Sequence, residues 1–71
     1  MNAQMKINTL ELIMKLDKFT ALNVCHLYQD KYNTKLYWHE FSDYFTELHD
    51  KGLLVVVGHD VTGLVIYSAA K

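Results

Sequence analysis

The 71 residues suffice for one small domain, and a hydrophobic content of 51% excludes a disordered chain. Residues 1–35 hold five lysines and three acidic residues, a net +2, whereas residues 36–71 hold two lysines and five acidic residues, a net −3. There is no arginine, so the chain lacks the basic stripe that is typical of proteins that bind a phosphate backbone.

The longest apolar run, Leu53–Val57, is too short to span a membrane. Met1–Lys15 has no basic start followed by an apolar block, so we expect no secretory signal. The single cysteine, Cys25, excludes an internal disulfide and suits a reducing compartment. These features predict a cytoplasmic chain that forms a single domain over residues 1–71.

The first predicted helix covers about residues 9–17. Asn8 followed by Glu11 has the pattern of a helix start. The Asn8 side chain can accept a bond from the backbone N–H of Glu11, and the Glu11 carboxylate can reach back toward residue 8. Leu12, Leu16 and Phe19 then recur at helical spacing and predict one apolar face.

The second predicted helix covers residues 21–32. Thr20 is a candidate cap, and the apolar stripe consists of Ala21, Val24, Cys25, Tyr28 and Tyr32. Asn33 follows the stripe and can adopt the left-handed conformation that ends many helices.

The third predicted helix covers residues 35–51, with Thr34 as its candidate cap. Its apolar stripe consists of Phe41, Tyr44, Phe45 and Leu48. Lys51 and Gly52 end it, because a cation suits the C-terminal end of a helix and glycine tolerates positive φ.

Two runs rich in β-branched residues follow, at about residues 53–57 and 64–68, joined by a segment bounded by glycines. This pattern predicts an antiparallel hairpin. The runs do not alternate apolar and polar residues, so both faces of the hairpin are apolar, and a small domain covers only one of them. We therefore expect the second face to be covered by a partner chain, either a second copy or another protein. In a homodimer, the contact would be this hairpin or the broad face of the first helix.

Three short helices followed by a two-stranded wing resemble the winged helix-turn-helix superfamily, an α+β fold. The most specific stretch is Phe41–Leu54, which is similar to the end of the recognition helix in many winged-helix regulators. Lys18–Thr20 corresponds to the minimal first strand of that family. The resemblance implies that the third helix enters the DNA major groove, with its N-terminal residues nearest the bases. The implied nucleic-acid-binding residues are Thr34, Lys35, Tyr37, His39, Ser42 and Asp43, with His59 and Thr62 at the tip of the wing and with Lys15, Lys18 and Lys31 as flanking phosphate contacts.

The charge of the third helix departs from this family pattern. Residues 36–51 contain four acidic residues and one lysine, a net −3. The wing tip contains no lysine or arginine, although the family often places one there. Because DNA affinity comes largely from neutralised phosphates, this charge weakens the prediction of DNA binding.

Metal and catalytic sites are not predicted. His39, His49 and His59 recur every ten residues, a spacing that turns successive side chains on a helix in different directions. No metal-binding pair of cysteines or histidines occurs at ligand spacing, and no phosphate-binding loop or nucleophile elbow is present. We therefore expect a protein that is not an enzyme and has no cofactor.

Two functions remain open at the level of sequence. The first is a dimeric winged-helix regulator that binds double-stranded DNA. The alternative is a protein-interaction module or inhibitor whose acidic third helix docks on a basic protein surface. The candidate partner-binding residues are Trp38, Asp43, Glu47, Val56 and Ile66. Trp38 is included because it lies at the margin of the apolar stripe and tryptophan is enriched in binding hot spots.

Overall fold

The computed structural model describes residues 1–70, which form three helices followed by a two-stranded antiparallel hairpin. The elements are helix α1 (Ala3–Ile13), helix α2 (Ala21–Tyr32), helix α3 (Trp38–Asp50), strand β1 (Leu54–His59) and strand β2 (Val65–Ala69). The α+β layout predicted from the sequence is confirmed.

Helix α1 begins earlier than the sequence pattern predicts, because Asn2 rather than Asn8 is its cap. The side chain of Asn2 accepts a hydrogen bond from the N–H of Met5 at 2.9 Å. Asn8 lies inside the helix, where its side-chain amide donates to the hydroxyl of Tyr28 at 3.3 Å. Asn8 therefore ties α1 to α2 instead of starting a helix.

The C-terminal end of α1 also differs from the predicted range 9–17. The helix ends at Ile13, and the N–H groups of Lys15 and Leu16 bond to carbonyls three residues earlier, at 3.2 and 3.1 Å. Such bonds tighten and end a helix. The predicted boundaries are therefore wrong at both ends.

Helix α2 matches its predicted range of residues 21–32. Thr20 and Asn23 form a reciprocal capping box, in which each side chain accepts a bond from the backbone N–H of the other, at 3.1 and 3.2 Å. Asn33 ends the helix with φ of 51°, in the left-handed region. Both predicted terminal signals are confirmed.

Helix α3 is shorter than the predicted range 35–51, and Thr34 does not cap it. The Thr34 hydroxyl donates instead to the carbonyl of Tyr32 at 3.1 Å, at the end of α2. The carbonyl of Leu36 accepts a bond from the side-chain amide of Gln29 at 3.0 Å. These bonds hold the connection against α2, so α3 starts only after it.

The hairpin is displaced by one or two residues from the predicted ranges 53–57 and 64–68. Gly58 and His59 also belong to β1, and the strand pairing shifts register by one residue between Val56 and Gly58. A shift of this kind is a β-bulge, in which an extra residue bends the strand and increases its twist. The predicted antiparallel pairing itself is confirmed.

Phe19 adds a minimal third strand beside β2. Its N–H donates to the carbonyl of Tyr67 at 3.0 Å, and the N–H of Tyr67 donates to the carbonyl of Phe19 at 2.8 Å. The ring of Phe19 packs edge-to-face against Phe45, with 5.2 Å between the centroids. The sheet is thus fastened to the helices through the segment between α1 and α2.

One apolar core joins all five elements. It consists of Ile13, Phe19, Ala21, Val24, Cys25, Tyr28, Phe41, Tyr44, Phe45, Leu48, Leu54 and Tyr67. The stripe of α3 is buried as predicted, and so is the stripe of α2 except for Tyr32, which is only partly buried. No helix within residues 1–70 is long and apolar enough to cross a membrane.

Candidate nucleic-acid interface on helix α3

Helix α3 presents a polar face to solvent on the side opposite its buried stripe. This outer face consists of His39, Ser42, Asp43, Thr46 and Asp50, of which only Ser42 is partly buried. The positions follow from the helical repeat, because Phe41 and Phe45 occupy the opposite side and both are fully buried. No other element of residues 1–70 covers the outer face, so it is free to meet a partner.

Five of the predicted nucleic-acid-binding residues lie around the start of α3. We define the connection cluster as Lys31, Thr34, Lys35, Tyr37 and His39, all of which are exposed. Tyr37 has 78% of its surface exposed. The Lys31 ammonium lies 5.5 Å from the centroid of the Tyr32 ring. The cluster therefore combines two lysines, two hydroxyl groups and an imidazole at one end of the molecule.

Ser42 and Lys18 occupy different positions from this cluster. Ser42 lies one turn further along α3, and its carbonyl accepts a bond from the Thr46 hydroxyl at 3.0 Å. Lys18 is exposed shortly before the start of α2, whereas Lys31 lies at the other end of that helix. The two ends are about 18 Å apart at 1.5 Å per residue. Lys18 does not belong to the same basic patch.

The acidic charge of α3 is partly compensated by cations from α1. The Lys6 ammonium lies 3.4 Å from a carboxylate oxygen of Glu47, and that oxygen is 4.0 Å from Lys51. The amino group of Met1 lies 3.5 Å from Glu40. Because these acidic side chains lie on the flank of α3 that faces α1, their charge is drawn away from the outer face.

Two uncompensated carboxylates remain on the outer face itself. Asp43 is exposed and forms no ion pair within residues 1–70. Asp50 is exposed and lies 3.9 Å from the ring nitrogen of His49, which is a cation only when protonated. The centre and the C-terminal end of the outer face are therefore acidic, whereas the connection cluster holds two lysines, with the exposed Asp30 as its one acidic neighbour on α2.

The predicted partner-binding residues lie on separate surfaces. Trp38 is partly buried against the core, and its ring stacks on His39 with centroids 4.0 Å apart. Val56 pairs with Tyr67 and shares its face of the hairpin, whereas Ile66 is adjacent to Tyr67 in the strand and points to the other face. Asp43 and Glu47 lie on α3, so the five residues do not form one continuous patch.

The contact of Lys6 with α3 is a feature of the site that the sequence pattern missed. Its ammonium lies 5.4 Å from the centre of the Tyr44 ring, and the Tyr44 hydroxyl donates to the Lys6 carbonyl at 3.5 Å. Burial and the nearby charge of Glu47 raise the pKa of Tyr44, so this hydroxyl stays protonated. No local signal could reveal this contact, since the helices pair in three dimensions.

The described residues contain no cluster of histidine, cysteine and acidic side chains that could hold a metal ion. The chain matches no protein-family model, no curated protein and no solved structure. Its function is therefore argued from its own geometry.

Proposed function

We propose that this chain is a small, non-catalytic winged-helix regulator in the cytoplasm that binds double-stranded DNA through the start of α3. The observation that carries the proposal is the connection cluster, where Lys31 and Lys35 are exposed beside the first turn of α3. In helix-turn-helix proteins the first residues of the recognition helix lie nearest the bases. A basic patch at this end is therefore in the position that DNA binding requires.

The residues divide into phosphate contacts and base contacts. Lys31 and Lys35 are suited to phosphates, whereas the Thr34 hydroxyl donates to the carbonyl of Tyr32 and would have to leave that bond to reach a phosphate oxygen. His39 and Ser42 face outward on the first turns of α3 and are suited to base edges in the major groove. No side chain caps the start of α3, so its first N–H groups also point toward this surface.

The charges around α3 support contact with DNA over a small basic area rather than an extended one. Glu40 and Glu47 are paired with cations, which leaves Asp43 and Asp50 as the unpaired acidic residues of the outer face within the described chain. An aspartate can accept a hydrogen bond from the amino group of cytosine. We expect few phosphate contacts and therefore modest affinity, with a correspondingly shallow dependence on salt.

The test is a titration of fluorescent random-sequence duplex DNA at about 50 and 200 mM salt. Lys35→Glu should weaken binding about tenfold and reduce the salt slope by about 0.9, because one phosphate contact is lost. Lys15→Glu is the matched control: it makes the same charge change at an exposed residue between α1 and α2, which, like Lys18, the structure places outside the connection cluster. Equal losses in the two variants, or no binding by the wild type at 50 mM salt, would contradict the proposal.

The exposed carboxylate of Asp43 favours a second function, in which the outer face of α3 binds a basic protein surface. Asp43→Lys separates the two proposals in the same titration. If α3 faces DNA, the substitution removes a repulsive charge and adds an attractive one, so DNA affinity rises. If affinity does not change, α3 does not face DNA, and the acidic face becomes the candidate protein-binding surface.

A further inference from the structure

The hairpin has one occupied edge and one open edge. Phe19 pairs with Tyr67 on one side of β2, through bonds of 2.8 and 3.0 Å, and β1 lies on the other side. No strand within residues 1–70 pairs with the far edge of β1. The N–H and carbonyl of Tyr67 both bond to Phe19, so they do not bond to Val56, which lies opposite Tyr67 in β1. In an antiparallel ladder, Val56 and Tyr67 are therefore a pair without mutual hydrogen bonds. The N–H and carbonyl of Val56 therefore point to the open side.

The residues along the open edge are apolar. Leu53, Val55, Val56 and Val57 are each between 44% and 54% exposed, and no charged residue occurs between Gly52 and Gly58. Natural proteins protect edge strands with lysine, proline or bulges. The bulge after Val56 is the single such device in β1, and the backbone groups of Val56 still point to the open side.

We propose that the open edge of β1 pairs in antiparallel fashion with the same edge of a second copy of this chain, which joins the two hairpins into one four-stranded sheet. The strand order of the joined sheet is β2–β1–β1–β2, and a two-fold axis near Val56 relates the two copies. Because both copies contribute the same edge, pairing uses up that edge in each of them, so the association closes at two chains and does not extend into a fibre.

The edge is suited to its own copy in both shape and charge. A two-fold axis at Val56 brings Val55 of one chain beside Val57 of the other, so apolar side chains meet apolar side chains. Antiparallel pairing also brings the start of one β1 to the end of the other. Lys51, just before β1, then lies at the same end as Asp60 of the second copy, which follows β1. The opposite charges recur at both ends of the joint, where Lys51 also lies 4.0 Å from Glu47 of its own chain and follows Asp50.

The area of the interface also bears on its strength. Stable interfaces bury about 800 Å² on each partner, roughly a sixth of the 4715 Å² surface of this chain. One strand edge with its exposed valines is smaller than that. We therefore expect a reversible dimer whose mass depends on protein concentration. This inference does not rest on DNA binding, and the two are tested separately.

The experiment measures the mass of the intact chain by sedimentation equilibrium over a range of concentrations. The wild type should approach twice the 8.3 kDa chain mass as concentration rises. Val56→Lys and Val56→Glu should each be monomeric, because the two-fold axis sets the introduced charges against their own copies. An equimolar mixture of the two variants should recover the dimer, since the introduced charges are then opposite.

Leu27→Lys is the matched control, because Leu27 is 40% exposed, close to the 45% of Val56, and lies on α2 outside the proposed joint. It should remain dimeric, and circular dichroism should show that all variants are folded. A wild type that stays monomeric at millimolar concentration would overturn the inference. So would dimers that persist in both Val56 variants, or a mixture that fails to recover dimerisation.

Discussion

At the scale of the residue, Cys25 is a structural thiol. Its sulfur lies 3.2 Å from the carbonyl of Leu36 and 3.3 Å from the side-chain nitrogen of Gln29. The side chain is buried, and burial raises the pKa of the thiol, so the reactive thiolate is disfavoured. We predict that iodoacetamide modifies Cys25 at least about tenfold more slowly in the native chain than in denaturant. Mass spectrometry of timed samples measures the two rates. Equal rates would show that the segment between α2 and α3, whose Leu36 carbonyl bonds the Cys25 thiol, opens readily.

Asp60 organises the tip of the hairpin. Its carboxylate accepts bonds from the N–H groups of Thr62 at 2.8 Å and Leu64 at 3.0 Å and from the Thr62 hydroxyl. The hydroxyl bond is the main cause that lowers the pKa of Asp60, with the backbone bonds adding to it. The role of the residue is therefore to form the turn, in agreement with the turn predicted from the glycine-bounded loop.

Because the pKa of Asp60 is lowered in the folded state, the contribution of this residue to the stability of the fold depends on pH. The stabilisation is fully present above the unfolded pKa, near 3.9, and is lost as pH falls through the lower folded pKa. Asp60→Ala should therefore lower the melting temperature at pH 7 and differ less from the wild type as the solution becomes acidic. Thermal unfolding followed between pH 2 and pH 7 measures this difference. The exposed Asp17, changed to alanine, is the control, and an Asp60→Ala effect that grows in acid would contradict the prediction.

At the scale of the element, the capping box makes α2 depend on Thr20. We predict that Thr20→Ala destabilises the domain by about 1 kcal/mol, because the first N–H groups of the helix lose a partner. Thr20→Ser retains the hydroxyl, so this variant should lose clearly less stability than Thr20→Ala. Urea denaturation gives both values, and equal losses would mean that the methyl group of the buried Thr20, not its hydroxyl, provides the stabilisation.

The helices also show which structural signals can be predicted from sequence. Helix α2 was predicted correctly, because Thr20 and Asn33 act on backbone groups next to them. Asn8 and Thr34 carry the same capping chemistry, yet their side chains bond Tyr28 and the carbonyl of Tyr32. A capping residue has alternatives once the chain folds, and the sequence alone does not decide between them.

At the scale of the whole molecule, the order of elements and the core of α3 could be predicted because both follow from local periodicity. The compensation of acidic charge on α3 could not, since Lys6 and Glu47 are 41 residues apart in the sequence. The same holds for the open edge of β1, which depends on Phe19 occupying the other side of β2. The connection cluster, in contrast, lies within residues 31–39, so its grouping could be predicted from the sequence.

The pairing of Phe19 with Tyr67 has a consequence for the order in which the chain assembles. Each helix and the hairpin can form from residues that are close in sequence, whereas this pairing must close the chain from residue 19 to residue 67. Loop closure costs entropy before its contacts form, and contacts distant in sequence slow folding. We expect the Phe19 segment to dock late, after the folding barrier. Weakening it would then speed unfolding and leave the folding rate nearly unchanged, so this short bridge governs how long the native state lasts.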